Sequence, residues 1–384
     1  MRNRITIIAG LVALLTLLTV VCGPKPIPKE SILDTPENHY RQGNRELQAG
    51  NLQDALKEFE RAKALDPDYP GAYVGMGMVA LEKKNYKVAF EWINKGLGKD
   101  KKFVDGHIAK GVVYMKQREG DDWLKKAVKC FDDALEIKPD SEKALYFKGV
   151  AYKNAYQFSE AAVEFRKVIE IKGDFSQQAN DEWELMQKIQ RAAPGTRVGM
   201  EIALIPKIDR ADLAVLFIEE LKLPELLKKK VKKTYDTSFR PPDDPTVVPQ
   251  AEAAEQAKAT DISGHWAENW IKTILDYGVM EVFPDNTYHP DELITRAGYA
   301  MFIQNILIAV TQDESLASKY FGTDSPFPDV NSNHYAFNAI SLCVSRGIMK
   351  ADTMDGAFHM KDSVSGADAL LIIRELQNAL RMTF

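Results

Sequence analysis

Cysteine and histidine are scarce in this chain, three and six among 384 residues. No Cys-x-x-Cys occurs, and Cys22, Cys130 and Cys343 lie far apart, so neighbouring residues cannot assemble a disulfide framework or a zinc or redox centre. Cys130 and Cys343 fall on apolar helical faces and read as small buried hydrophobes. A glycine-rich phosphate loop is absent, as are His-Glu-x-x-His and Gly-x-Ser-x-Gly. Asp243 and Asp244 sit in a polar, proline-rich stretch that provides no buried general acid, and Asp291 and Glu292 belong to a loop. The chain is therefore read as non-enzymatic, with no catalytic residue, cofactor or metal. A net charge of −5 leaves no basic footprint for nucleic acid.

One long uncharged run exists, over residues 5–21, preceded by Arg2 and Arg4. A charged start followed by an apolar run is an export signal. Cys22 follows directly, an arrangement that resembles a bacterial lipoprotein signal, with Val20 and Val21 departing from the small residues usual before the cysteine. The resemblance implies lipidation at Cys22 and a membrane-anchored chain outside the cytoplasm, with an uncleaved anchor as the alternative. Gly23 after the cysteine leans, by the same resemblance, toward an outer membrane or its periplasmic face in a Gram-negative cell. Residues 23–35 carry Pro24, Pro26 and Pro28 and read as an extended tether.

Next come long segments with apolar residues at helical spacing. Gly43, Gly77 and Gly111 recur at 34 residues, and Gly149 follows after 38, with residues 118–121 as an apparent insertion. Ala55, Ala89, Ala127 and Ala161 recur in the second helices, each followed four residues later by Phe59, Ile93, Phe131 or Phe165. Small residues let paired helices approach, and the bulky residue plugs the gap toward the next pair. This pattern closely resembles the tetratricopeptide repeat, with four units over residues 36–175. The resemblance implies a solenoid whose concave face grips a protein partner. Tyr40, Val74, Met78, Ile108, Val112 and Tyr146 are the residues expected to line that groove, as ligand contacts or as inter-helix packing. Their apolar character suggests an apolar or helical partner segment.

Residues 261–307 read as helix, ordered loop, helix. Trp266, Trp270, Ile274 and Leu275 share one face, Gly278 suits a left-handed C-cap, Pro284-Asp285-Asn286-Thr287 is a turn, and Thr295 can cap the second helix. The Asp-Ile…His-Trp start, the Phe-Pro-Asp loop and Ile-Thr-Arg-Ala resemble the S-layer homology repeat. Residues 326–380 form another copy: Asp329-Val330 match Asp261-Ile262, His334-Tyr335 match His265-Trp266, and Gly366 stands where Arg296 is. A degraded first copy is read from Trp183 and Gly195, with Asp209-Arg210-Ala211-Asp212 opening its second helix after a shortened loop.

The expected architecture is all-α: a helical solenoid followed by a pseudo-threefold helix–loop–helix domain. Its parts are a signal at 1–22, a tether at 23–35, four units at 36–175, a first copy doubling as solenoid cap at 176–227, a basic and proline-rich linker at 228–260, and further copies at 261–325 and 326–384. In the S-layer homology family the grooves between copies bind anionic glycan attached to the cell wall. The resemblance makes Arg210 and Arg296 the glycan contacts, with Trp266 and Tyr335 as groove aromatics. Competing readings are a salt bridge from Arg296 to Asp291, and core packing for the two aromatics, which is preferred. The lysines of residues 223–233 read as a solvated helix end. The functional expectation is a cell-envelope scaffold holding a protein partner and a peptidoglycan-linked or secondary cell-wall polysaccharide. The alternative is an assembly factor for an envelope or secretion complex, in which the second domain is structural and binds protein.

Overall fold

A computed structural model describes residues 26–228 and 259–382. Cys22, the lysines beyond residue 228 and most of the linker lie outside these residues. The regular elements among the described residues are helices, a 3-10 turn and two isolated β-bridges. The chain divides into two compact units, residues 1–183 and 184–384.

The first unit contains four antiparallel helix pairs: α1 Pro36–Gln48 with α2 Leu52–Leu65, α3 Pro70–Glu82 with α4 Tyr86–Lys99, α5 Val104–Gln117 with α6 Trp123–Ile137, and α7 Glu142–Asn154 with α8 Phe158–Ile171. Local chemistry starts them. The Thr35 hydroxyl accepts from the Asn38 amide and Pro36 occupies the first helical turn, while Asn85 and Ser141 cap α4 and α7. Within each pair the glycine of the first helix receives the bulky residue of the second. A Cβ at Gly43 would lie 2.5 Å from the Phe59 ring, at Gly77 2.6 Å from Ile93, at Gly111 2.6 Å from Phe131, and at Gly149 2.7 Å from Phe165. The four alanines and the four bulky residues are all fully buried. Phe59 also presses on Gly75, so it fills the gap to the next pair as well as its own.

Residues 26–35 do not extend as a tether. The Ile27 amide donates to the Ala64 carbonyl at 3.0 Å, and Asp34 is buried, where the Arg61 Nε donates to it at 3.1 Å and His39 bridges it to Glu58. The Arg61 hydrogen bond holds the Asp34 carboxyl far below the usual carboxylate range.

The division between the units falls within α9, Ser176–Ala192. The second unit continues with α10 Arg197–Ala203, α11 Arg210–Glu219, α12 Leu223–Lys228, α13 Glu268–Asp276, α14 Arg296–Thr311, α15 Phe337–Ser345 and α16 Gly366–Met382. At its centre three backbone groups close a ring. The Ile208 N–H donates to the Val364 carbonyl at 2.9 Å, Val364 to Ile294 at 3.0 Å, and Ile294 to Ile208 at 3.0 Å. These residues are the equivalents that precede Asp209-Arg210, Thr295-Arg296 and Ser365-Gly366, so the ring lies on an approximate threefold axis.

Around the ring each copy's second helix meets the next copy's first. Trp270 on α13 donates to Glu219 on α11 at 2.8 Å, Asn338 on α15 donates to Gln304 on α14 at 2.6 Å, and Lys188 on α9 pairs with Asp368 on α16 at 3.0 Å. The first helices share a register. Gly278 and Gly347 are left-handed, with φ of 65° and 68°, and the residues seven and four positions earlier, Ile271 and Ile274 or Ile340 and Cys343, are fully buried. In the first copy the left-handed residue is Ala193, φ 47°, and Met186 and Ile189 are buried at the same offsets. The expected pairing of Trp183 with Gly195 is therefore two residues out of register. The thiols pack as read: Cys130 and Cys343 are buried, and burial pushes the Cys130 thiol up to about 11.

Candidate functional site

The second unit has three inter-copy junctions, each formed by the start of one copy's second helix and the loop of the next. At the first junction the Arg210 Nε donates to the Tyr288 carbonyl at 2.8 Å and its Nη2 to the Glu281 carbonyl at 3.0 Å. The guanidinium lies 4.6 Å from the Tyr288 ring centre, 5.0 Å from Phe283 and 5.6 Å from Phe302, leaving Arg210 only 8% exposed. At the second junction the Arg296 Nε donates to the Phe358 carbonyl at 2.8 Å and its Nη2 to the Lys350 carbonyl at 2.7 Å. Among the described residues one ring covers it, Phe358 at 4.6 Å, and it stays half-buried. The salt bridge weighed for Arg296 is not formed, since Asp291 instead faces the His265 Nε2 at 3.5 Å. At the third junction a Cβ on Gly366 would run into the Ile202 carbonyl, and the Gly366 amide donates to Ile205 at 2.9 Å.

The loops are pinned from within. Asp261 accepts from the amides of Tyr288 and His289, both at 2.7 Å, and Asp329 from Phe358 at 2.8 Å and Met360 at 3.4 Å. Partial burial works against ionisation of these two carboxyls, but the amides outweigh it and hold both below the usual range.

The helix starts differ. Asp209 and Asp212 form a reciprocal capping box on α11. Burial, and for Asp212 the neighbouring Asp209 charge, raise both carboxyls, Asp212 to about 6, while His265 nearby pulls the other way. On α14 the Thr295 hydroxyl caps the helix through the Gly298 amide at 3.1 Å, with no acid at either position.

Trp266 and Tyr335 are not core residues. They are 53% and 76% exposed, because α13 and α15 begin after them and bury Ala267 and Ala336 instead. Trp270 is half-buried, and the packed face of α13 is Ala267, Ile271 and Ile274. Asp352, Asp355 and His359 converge in the third copy's loop within 4.8 Å, but all are exposed. A cavity of about 820 Å³ between Ile262, Leu275 and Met280 contains none of the expected contact residues.

In the first unit three of the six groove candidates are occupied by packing. Val74, Ile108 and Val112 are 2%, 2% and 6% exposed within the packed core of the helix pairs, and a Cβ at Gly96 on α4 would lie 2.9 Å from Val74. Tyr40 stacks edge-on against Tyr69 and Phe103 and donates to Asp105 at 3.1 Å, and Lys143 pairs with the same carboxylate at 2.9 Å. Gly71, at the matching position in the second pair, has no side chain to block that reach. Met78 and Tyr146 remain half-buried, Tyr146 at 5.2 Å from Phe175. A cavity of about 450 Å³ opens beside Asp105, Ile108 and Phe175.

The S-layer homology domain family matches residues 260–300 and 326–370, and a tetratricopeptide repeat family matches residues 40–102. The chain carries S-layer homology and tetratricopeptide repeats. It is 28% identical over 122 residues to an S-layer protein of Bacillus licheniformis, covering 27% of this chain and 13% of that one. It is also 28% identical over 92 residues to endo-1,4-beta-xylanase A of Thermoanaerobacterium saccharolyticum, covering 24% and 7%. The chain thus spans a small part of the curated relatives it matches. Among solved structures it is similar to a thermophilic TPR protein of Thermus thermophilus, at 16% identity and a TM-score of 0.36, covering 50% of this chain and 96% of that one. The segment read as a first copy lies outside the matched residues, and α10 stands where the other two copies have an extended loop. Sequence reading missed Lys361, which stands where the second copy has Asp291, and the rings around Arg210; aligning the loops residue by residue exposes both.

Proposed function

We propose that the chain is a non-catalytic cell-envelope scaffold, in which the S-layer homology domain holds cell-wall polysaccharide and the tetratricopeptide array holds a protein partner. The observation that carries the wall-binding half is the inter-copy arginine. Arg296 sits at a helix start, fixed by two loop carbonyls, with part of its donor fork still exposed beside a copy whose aromatic faces solvent. A planar fork favours a carboxylate or phosphate, and an exposed ring suits the apolar face of a sugar. For the array, the half-buried Met78 and Tyr146 support an apolar partner segment. Lipidation at Cys22 would tether both modules to a membrane.

The test is sedimentation of the purified chain with isolated sacculi, before and after chemical removal of their attached polysaccharide. Retention that disappears with the polysaccharide is expected, and no retention on intact sacculi overturns the wall-binding half. The second reading, an assembly factor whose S-layer homology domain binds protein, is favoured by Gly366, which leaves one junction without its arginine. Crosslinking in cells that recovers the same protein from residues of the second unit, with no wall retention, would establish it instead.

A further inference from the structure

Residues 26–35 fold back on the first helix pair and end in a turn that packing leaves uncovered. The Asp34 amide donates to the Ser31 carbonyl at 3.2 Å and the Thr35 amide to Leu33 at 2.9 Å, which puts Ile32 and Leu33 at the tip. They are 94% and 74% exposed. A lone exposed aliphatic needs no explanation, but this pair borders cations. Leu33 lines a hollow of about 550 Å³ together with His39, Arg41 and Arg45. Arg41 and Arg45 are one turn apart on α1, and both are exposed. The acids around them are engaged elsewhere: Glu30 and Asp34 by Arg61, and Glu58 by the His39 ring at 2.6 Å. Arg41 reaches the neutral Asn38, and Arg45 has no side-chain partner among the described residues, with Glu37 the exposed carboxylate one turn before Arg41. Position adds to this. Cys22 is five residues before Ile27, whose amide is fixed on the Ala64 carbonyl, and five extended residues span at most about 18 Å. A helix with its side chains is about 10–12 Å across. An anchor at Cys22 therefore keeps the first pair within about two helix diameters of the lipid.

We propose that this patch rests on an anionic bilayer, with Ile32 and Leu33 dipping past the headgroups and Arg41 and Arg45 taking lipid phosphates at the hollow, so that the first helix pair lies against the membrane. This rests on the membrane-anchoring reading above and adds a second, non-covalent contact to it. Apolar side chains beside cations are what holds a surface segment at an anionic bilayer. The guanidinium fork suits a phosphate, and its share of the attraction weakens with salt.

The experiment reconstitutes the full chain in vesicles of phosphatidylcholine with phosphatidylglycerol. Ile32→Cys, Leu33→Cys or, as a control at the exposed start of α4, Lys87→Cys carries a nitroxide. The parent treated alike supplies the background, since Cys130 and Cys343 are buried. Flotation reads anchoring, and relaxation by oxygen against a nickel chelate reads depth. The labels at 32 and 33 should lie about 5–10 Å below the lipid phosphates, and the label at 87 in water. Arg41→Glu with Arg45→Glu, or vesicles of phosphatidylcholine alone, should bring the two labels back toward water. Immersion unchanged by either overturns the part given to the arginines. Floating chains whose labels at 32 and 33 are as wet as the one at 87 overturn the proposal and leave anchoring standing. Labels shielded from both reagents, with broadening between labelled copies, put a second copy on the patch and overturn it as well. Chains that do not float overturn the anchoring reading, and the proposal with it.

Discussion

The array of helix pairs and the threefold unit both build from repeats, but they repeat different things. In the array, side-chain packing recurs: Gly43 on Phe59, Gly111 on Phe131, Gly149 on Phe165. In the threefold unit, backbone hydrogen bonding recurs, through Ile208, Ile294 and Val364, while the neighbouring side chains run Arg210, Arg296, Gly366. A backbone bond does not depend on which side chain its residue carries. Copies around such a ring can diverge at their junctions without losing closure, and divergence is what gives the three junctions different charge. The array has no such freedom at its glycines, because each is one half of a packing contact.

The largest effect should come from breaking the array's packing. Phe131 is fully buried and seated on Gly111, so Phe131→Ala should cost about 3–5 kcal/mol in urea denaturation. A loss below about 1 kcal/mol would mean the ring of Phe131 is not what joins the third pair.

Next is the closed ring. Gly366→Ala places a methyl against the Ile202 carbonyl, a backbone group with no rotamer to retreat into, and should destabilise by about 1–3 kcal/mol. Gly98→Ala is the contrasting case. Nothing lies within 4 Å of its added Cβ and it sits in the last turn of α4, so it should be neutral or stabilise by up to about 1 kcal/mol. If both changes act alike, the third junction is not held by backbone approach.

A third test uses pH. The Asp212 carboxyl is raised to about 6 by burial and by Asp209, above its unfolded value. The folded chain then holds the proton more tightly than the unfolded chain, so this group's stabilisation is full at low pH and is lost as pH rises through about 6. The melting temperature of the second unit should rise between about pH 7 and pH 5, and Asp212→Asn should flatten that rise. An unchanged slope in the variant would remove Asp212 as its source.

What could be read from sequence follows the same division. The array's glycines, alanines and aromatics were legible because packing contacts demand particular side-chain sizes at a 34-residue period. The Thr295 cap was legible because a hydroxyl at that position has one local use. The central ring was not, since any residue can supply its amide and carbonyl. Counting toward glycines misplaced the first copy, because Ala193 takes the left-handed turn at a cost of about 1 kcal/mol while Gly195 does not need to. Trp266 and Tyr335 were expected inside on helical spacing, but their helices begin at Glu268 and Phe337, past the aromatic. Val74, Ile108 and Val112 were expected at the groove and are buried in the core of the helix pairs, a packing that spacing within one helix does not reveal.

The smallest effect sharpens the contrast between an open array and a closed ring. The four extra residues of the third pair are absorbed at the turn between α5 and α6. α5 has 14 residues where α1, α3 and α7 have 13, α6 has 15 where α2, α4 and α8 have 14, and the connection is residues 118–122 where the others have three residues, as at 49–51. Deleting residues 118–121 should unwind each helix end by one residue and restore the three-residue turn. The losses are the Arg118 contacts with Trp123 and with the Met115 carbonyl and the Gln117–Glu119 hydrogen bond, and closing a slightly different loop changes the free energy by only about 0.6 kcal/mol per doubling of length. A change below about 1 kcal/mol is expected in chemical denaturation. The same four residues inserted after Ile205 should cost several times more, because that loop delivers both the Ile205 carbonyl to Gly366 and Ile208 to the central ring. Equal costs at the two places would mean that the array is as tightly constrained as the ring, and that freedom to diverge does not follow from how each one closes.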